Sequence, residues 1–415
     1  MNTGELSPRG TRICRACGSD DLRSVLDLGS QPLANRLLRE ATDPDPVYPL
    51  HLRICAVCSL GQVGEFVSPE EIFGDYPYLS SMSSVWLEHV RTYATHMRTE
   101  LALRDDDFVV EIASNDGHLL KGFQDMGHRV LGVEPAGNVA AIARAAGIPT
   151  TCTFFGRAAA EQLVAEHGVP RLVAANNVLA HVPDLDDFVS GLAGLCGPDT
   201  VVTIENPTLT ELLAGRQFDT IYHEHFSYLS ATSVDALARR HDLVLVRVER
   251  LPTHGGSLRY WLRRRGADVP DASVGAAIED DRRRGLTDPA AWQAFARECL
   301  QTVEGLRGWL QSRHDAGDVV VGYGAAAKGN TLLNAVGDNA SFLRVVADAS
   351  PEKVGRLLPG SHVPVVAPSA LAETDPADVL LLPWNIETEL VELVAALAPA
   401  AACWVAVPEM RKVTR

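Results

Sequence analysis

Four consecutive positions, Tyr222-His223-Glu224-His225, bring together a phenol, two imidazoles and a carboxylate. A neutral imidazole can take a proton from an acidic carbon, while a phenol or carboxylate holds it or steadies the charge that forms. Which groups meet depends on local structure. In a helical turn Tyr222 and His225, three residues apart, share a face. In a strand His223 and His225 share one face, with Tyr222 and Glu224 opposite. The His-x-His pair could also ligate a metal, but HExxH is absent and no third ligand is near in sequence.

A second constellation is made of cysteines. Four of the eight form two tight pairs, Cys14-Arg-Ala-Cys17 and Cys55-Ala-Val-Cys58. Two such knuckles can complete a tetrahedron of thiolates around Zn²⁺. Four thiolates leave no open position, so the metal would be structural, stapling a segment too small for its own core. The alternative is two separate dithiols, buried or redox-active. Cys152, Cys196, Cys299 and Cys403 lack ligand spacing and read as small core residues.

The elements that position these groups follow from the apolar pattern. Residues 108–113, Phe-Val-Val-Glu-Ile-Ala, read as a buried parallel strand after the acidic turn Asp105–Asp107. Ser114-Asn115-Asp116-Gly117 follows, and His118 opens a helix. A second strand, 128–134, ends in Glu134, and a helix over 138–146 comes next. This is half of an open α/β nucleotide site, in which the acid ending the second strand meets a ribose diol. Glu111 and Glu134 stand 23 residues apart, close to the interval such sites use. The loop is not GxGxxG and gives a pyrophosphate no cradle. That favours a nucleoside without one, S-adenosylmethionine (SAM), with Glu111, Ala113, Asn115, Gly117, Glu134 and Asn176 as cofactor-binding candidates. An ordinary βα turn is the plain alternative.

Asn176, Asn177 and His181 fall at the carboxyl end of the strand starting at Arg171. Residues 201–205 supply another strand. In Thr253-His254-Gly-Gly-Ser, paired glycines allow close backbone approach and make His254 a contact candidate; a plain turn between strands serves as well. Residues 286–313 read as a helix with Trp292, Phe295, Leu300, Leu306 and Trp309 as apolar points. Then strand, Gly-rich loop and helix recur at Val319–Leu333, with a further strand at Leu343–Asp348. The loop Gly324-Ala-Ala-Ala-Lys328 is not a Walker A loop, yet Lys328 at a helix start suits a diphosphate. Two α/β units in one chain suggest a degenerate duplication.

Length and charge bound the rest. A chain of 415 residues implies two or three domains. With 53 acidic against 37 basic residues the net charge is −16, unsuited to wrapping nucleic acid. Only four lysines occur, which singles out Lys328. No apolar run is long enough to span a membrane, and the opening residues lack a signal-like apolar core, so a cytoplasmic location is expected.

Taken in order, the two CxxC pairs, Glu-Ile-Ala-Ser-Asn-Asp-Gly, Asn-Val-Leu-Ala-His-Val, Tyr-His-Glu-His-Phe-Ser-Tyr, His-Gly-Gly-Ser-Leu-Arg and Gly-Tyr-Gly-Ala-Ala-Ala-Lys-Gly-Asn-Thr resemble the SAM-dependent sugar C-methyltransferases. The similarity runs from Cys14 to about Trp384. It is nearest to the C-3′-methyltransferases of tetronitrose- and kijanose-type sugars. The resemblance implies an α/β chain in three parts: a zinc-binding N-terminal domain (1–70), a central Rossmann-like SAM domain (71–285) and a C-terminal α/β, Rossmann-like domain (286–415) that holds a nucleotide sugar. It implies that His225, with Tyr222 and Glu224, carries the proton chemistry. It places Tyr76 and His181 on the sugar, and the diphosphate near Lys328 and Asn330. The loop before Lys328 departs from relatives that carry a proline there. The expected substrate is a dTDP-linked 4-keto-deoxysugar and the expected state a monomer. Two other classes stay open: an NAD-dependent sugar-nucleotide oxidoreductase or epimerase, and a non-catalytic zinc-stabilised binding protein.

Overall fold

A computed structural model describes residues 10–74, 79–82 and 84–414. Tyr76 lies outside them. The chain divides into two compact units, one of residues 1–22, 55–208 and 226–283, the other of 23–54, 209–225 and 284–415.

The first unit is built on a seven-stranded sheet. Its order is Leu243–Leu251, Ser257–Arg264, Val201–Pro207, Leu172–Asn176, Phe108–Ile112, Arg129–Val133, Thr150–Thr151. Ser257–Arg264 runs antiparallel to both its neighbours, and the five strands from Val201–Pro207 outward are parallel. Phe108–Ile112 is buried at every position, as a central parallel strand covered on both faces must be. Its period of two divides the apolar run between two cores. Val109 packs with Val90, Tyr93, Ala94 and Met97 of the helix Ser84–Glu100. Val110 and Ile112 pack with Phe188, Val189 and Leu192 of the helix Leu185–Leu195. The helices His118–Asp125 and Gly137–Ala145 lie where the sequence places them. Strand order reverses between Phe108–Ile112 and Leu172–Asn176. That switch point opens a crevice at the carboxyl ends of these strands.

The second unit holds a six-stranded sheet. Its order is Val365–Val366, Leu343–Ala347, Val320–Tyr323, Asp378–Leu381, Ala402–Val405, Arg411–Val413, all parallel except the last. It too reverses order once, between Val320–Tyr323 and Asp378–Leu381. The helix Pro289–Ala316 starts at Asp288, whose side chain accepts from the Ala290 amide, and ends at Gly317 in the left-handed region. Trp292, Phe295, Cys299, Val303, Leu306 and Leu310 form its buried stripe. Leu300, expected on that stripe, is 53% exposed, because the 3-4 spacing from Cys299 to Val303 turns it outward. In the same unit Leu38 pairs with Leu357 through backbone bonds, and Asp45 accepts from the Gly360 amide. Among the described residues, no helix is long and apolar enough to cross a membrane.

Candidate active site

The cysteine knuckles close on one another. The Sγ atoms of Cys14 and Cys58 lie 3.5 Å apart, as do those of Cys17 and Cys55. All four lie within 4.8 Å of each other. A tetrahedral Zn²⁺ with bonds of about 2.3 Å would set its sulfurs about 3.8 Å apart. These 3.5 Å contacts run across the two knuckles, which suits one shared metal and not two separate dithiols. Backbone bonds from Gly18 N to Cys14 O and from Ser59 N to Cys55 O shape the turns. Among the described residues, these cysteines are the one cluster of metal-ligating side chains.

At the first unit's switch point the loop after Ile112 winds tightly. Ala113 (φ 57°), Asn115 (φ 48°) and Gly117 (φ 81°) all take left-handed backbone. Gly132 on the neighbouring strand lets the loop approach; a Cβ there would stand 2.3 Å from Ser114 Oγ. Glu134 ends its strand and braces the loop, accepting from the amides of Asn115 and Ala136, both at 2.9 Å. Burial raises its pKa and these two bonds oppose the rise. Asn115 and Asp116 accept in turn from the amides of Ser80 (2.9 Å) and Ser81 (3.0 Å).

Two buried groups at this crevice have unsatisfied atoms. Glu111 is 7% exposed, and its Oε2 has no hydrogen-bond partner among the described residues. Burial pushes its pKa well up, and the carboxylates of Glu134, Asp116 and Glu205 push it further. Asn176, on the adjacent strand, has both amide atoms unpartnered among the described residues. A buried acceptor and a buried amide left open at a switch point fit a polar, cationic nucleoside such as SAM. Glu134 keeps lone-pair capacity for a ribose hydroxyl.

Asn177 (φ 53°) continues this edge, and its amide lies 3.5 Å from His254 Nε2. His254 occupies the turn between the two antiparallel strands, so the plain-turn reading and the contact reading describe one residue. Trp86 reaches both His254 and His89, at ring distances of 5.9 and 4.9 Å. His181 sits in a short turn, edge-on to Phe73.

Sequence reasoning missed a charged group on this edge. His89 Nε2 donates to Glu205 at 2.7 Å, and the buried Arg259 pairs with the same carboxylate at 2.7 Å. These partners hold Glu205 below the usual carboxylate range although burial works the other way. Glu205 and His89 are 116 positions apart, and no local signal joins them. Asn206, 1% exposed with both amide atoms unpartnered, could have been flagged as Asn176 was, since it too ends a strand.

In the second unit, residues 222–225 form a turn, with His225 N donating to Tyr222 O at 3.0 Å. The segment is neither helix nor strand, but this turn brings together the two residues three apart that the helical alternative would pair. The Tyr222 hydroxyl and His225 Nε2 lie 3.0 Å apart, with ring centroids at 4.1 Å. His225 Nδ1 lies 3.2 Å from the Thr220 carbonyl. A carbonyl only accepts, so Nδ1 carries the proton and Nε2 is the basic atom facing the phenol. His223 turns elsewhere, donating to Tyr48 O at 3.1 Å, and burial lowers its pKa. Glu224 accepts from the Asn35 amide at 3.1 Å, and burial raises its pKa.

Lys328 stands at the start of the helix Ala327–Val336, at this unit's own switch point. Its Nζ donates to Asn385 Oδ1 at 2.6 Å. Asn330, 1% exposed, has both amide atoms unpartnered. Thr331 Oγ1 reaches the Ile221 carbonyl at 3.3 Å, which fastens the helix to the turn carrying Tyr222.

The chain is similar to known proteins over most of its length. Family models for a zinc binding domain, a methyltransferase domain and a C-methyltransferase C-terminal domain match residues 14–73, 86–248 and 252–408. The chain is 35% identical over 382 residues to the C-methyltransferase NovU of Streptomyces niveus, covering 91% of both chains. Among solved structures, magnesium protoporphyrin IX methyltransferase of Synechocystis, with bound SAM, aligns at 14% identity over 47% of this chain and 88% of its own, TM-score 0.33. A SAM-dependent methyltransferase of Anabaena variabilis aligns at 15% identity over 42% and 84%, TM-score 0.35. The match to NovU over nearly the whole length, with all three family models in order, makes this chain a member of the SAM-dependent C-methyltransferase family.

Proposed function

We propose that the chain methylates C-3 of a dTDP-linked 4-keto-deoxysugar, with dTDP-3-amino-2,3,6-trideoxy-4-keto-D-glucose as the favoured substrate, in deoxysugar and antibiotic biosynthesis. The observation that carries this reading is the Tyr222–His225 pair, with the imidazole tautomer pinned by Thr220 O.

A hydrogen on the carbon beside a ketone is acidic because its anion is an enolate. His225 takes the C-3 proton at Nε2, and Nδ1 keeps its own proton on the Thr220 carbonyl. The Tyr222 hydroxyl, in reach of Nε2, steadies the charge that forms. The bound cofactor supplies an electrophilic methyl group. With SAM held there, the C-3 electron pair would take the methyl group and the former carbon–sulfur pair would stay on the sulfur. Glu224, bonded to the Asn35 amide, holds the turn in place. Glu111, Asn176 and Glu134 would hold the cofactor, with the left-handed loop at Ala113, Asn115 and Gly117 shaped around it. Lys328 and Asn330 would take the diphosphate, and Asn177, His181 and His254 are the candidates for the sugar. Cys14, Cys17, Cys55 and Cys58 would hold a zinc ion with four thiolates, leaving it no open position for chemistry. In domain terms, residues 1–70 carry the metal, 71–285 the methyl donor and 286–415 the nucleotide.

The test is a methylation assay on a panel of dTDP-4-keto sugars in deuterated water. Deuterium should enter C-3 without SAM and be replaced by methyl with it. Methylation at oxygen, or none on any member of the panel, would overturn the reading.

A further inference from the structure

The crevice at the switch point of the second unit holds a charge that the proposed chemistry does not use. Asp219 is fully buried, yet no base or ligand role falls to it. Its Oδ2 accepts from the Trp384 indole at 2.7 Å, and its own amide and that of Thr220 also favour the charged form. The Lys328 ammonium lies 4.7 Å from the centroid of the same indole. One ring therefore carries a carboxylate on its N–H edge and a cation at its face. An indole that donates to an anion is richer in π-electron density and grips a cation more firmly.

The two charges also attract each other directly. Burial pushes the Asp219 carboxyl up to about 6, and Lys328 opposes that rise. Burial lowers the Lys328 pKa, and Asp219 opposes that fall. Lys328 is thus a shared cation. Asn385 holds it on one side, and Trp384 with Asp219 on another. Two residues along the helix, the unpartnered amide of Asn330 marks the same crevice as a place for a polar ligand.

We propose that Asp219 is an internal counter-ion for Lys328 that loosens the crevice's hold on a nucleotide diphosphate, so that the product can leave. The proposal rests on the nucleotide-sugar reading above. A diphosphate seated at Lys328 must share the ammonium with a carboxylate that cannot move into water. When the product unbinds, the same carboxylate takes the ammonium back, which lowers the cost of release.

The experiment is a double-mutant cycle on the full-length zinc-loaded protein, read by calorimetric titration with dTDP at pH 7.5. Asp219→Asn keeps an acceptor for the Trp384 indole and removes the charge. It should tighten dTDP binding fivefold or more. In a Lys328→Met background the same substitution should change binding less than twofold, because the shared cation is gone. In turnover, Asp219→Asn should lower both KM for the nucleotide sugar and kcat, the mark of slowed release. Unchanged or weaker dTDP binding in Asp219→Asn overturns the proposal. So does equal tightening in both backgrounds, which would be plain charge repulsion. If Lys328→Met alone leaves dTDP binding unaltered, the diphosphate does not sit there, and the nucleotide reading of the crevice falls first. SAM binding, measured alongside, reports that each variant is folded.

Discussion

The hydroxyl of Tyr222 and Nε2 of His225 meet at 3.0 Å while the opposite ring nitrogen of His225 is spent on Thr220 O at 3.2 Å. One nitrogen holds the ring and the other is left basic. His225→Asn should abolish deuterium exchange at C-3 and lower methyl transfer by about 10²–10⁴-fold, with SAM affinity within twofold of wild type. Tyr222→Phe should slow exchange less, by about tenfold or more. Calorimetry with SAM and mass spectrometry of recovered sugar check both. Full exchange in His225→Asn would remove this residue from the base role.

Glu111 offers a test in which stability and binding move oppositely. Its folded pKa is raised by burial and by three neighbouring carboxylates. A carboxyl with a raised folded pKa destabilises the fold once pH exceeds its unfolded pKa, and the cost grows as pH rises toward the folded value. Glu111→Gln should therefore melt higher than wild type at pH 7.5 without SAM, by about 2–4 °C. The advantage should shrink as pH falls toward about 4.3. The same variant should bind SAM more weakly, because one carboxylate oxygen becomes an amide nitrogen that donates and cannot accept.

Gly132 and Ser114 test the cofactor loop. A Cβ at 132 would lie 2.3 Å from Ser114 Oγ and 2.9 Å from Ser114 Cβ. Gly132→Ala should displace the loop and weaken SAM binding about tenfold, the equivalent of about 1.4 kcal/mol. Adding Ser114→Gly removes both clashing atoms and should restore part of that loss. No restoration would mean that the strand, and not the loop, absorbs the change.

Metal removal should separate folding from chemistry. The four cysteines form a closed donor set, three of them buried. A zinc-specific chelator, or Cys17→Ser, should lower the melting temperature and release one zinc per chain. Activity should fall in proportion to the folded fraction, with KM for SAM unchanged in what survives. An active, stably folded zinc-free protein would contradict the structural role.

What could be read from the sequence was local. The knuckles, the buried strand read at 108–113, the loop after it and the Tyr222–His225 spacing each lie within a few residues, where backbone periodicity dictates who meets whom. What escaped was made by distant segments. His223 answers to Tyr48, 175 positions away, and Trp384 to Asp219, 165 away. Arg259 meets Glu205 only because antiparallel pairing sets the two strands in register. Glu134 was legible as an acid at a strand end, but its work as a brace for the Asn115 amide depends on how the loop folds back.

The bonds from Ser80 and Ser81 to Asn115 and Asp116 carry one more implication. They hook the stretch ahead of the helix Ser84–Glu100 to the loop that follows Phe108–Ile112, across 35 positions of chain. Ser80 and Ser81 are thus no mere spacer. Replacing Ser80 or Ser81 with proline would remove the donating amide and unhook the tether, so proline there should be tolerated far less well than in ordinary surface connections.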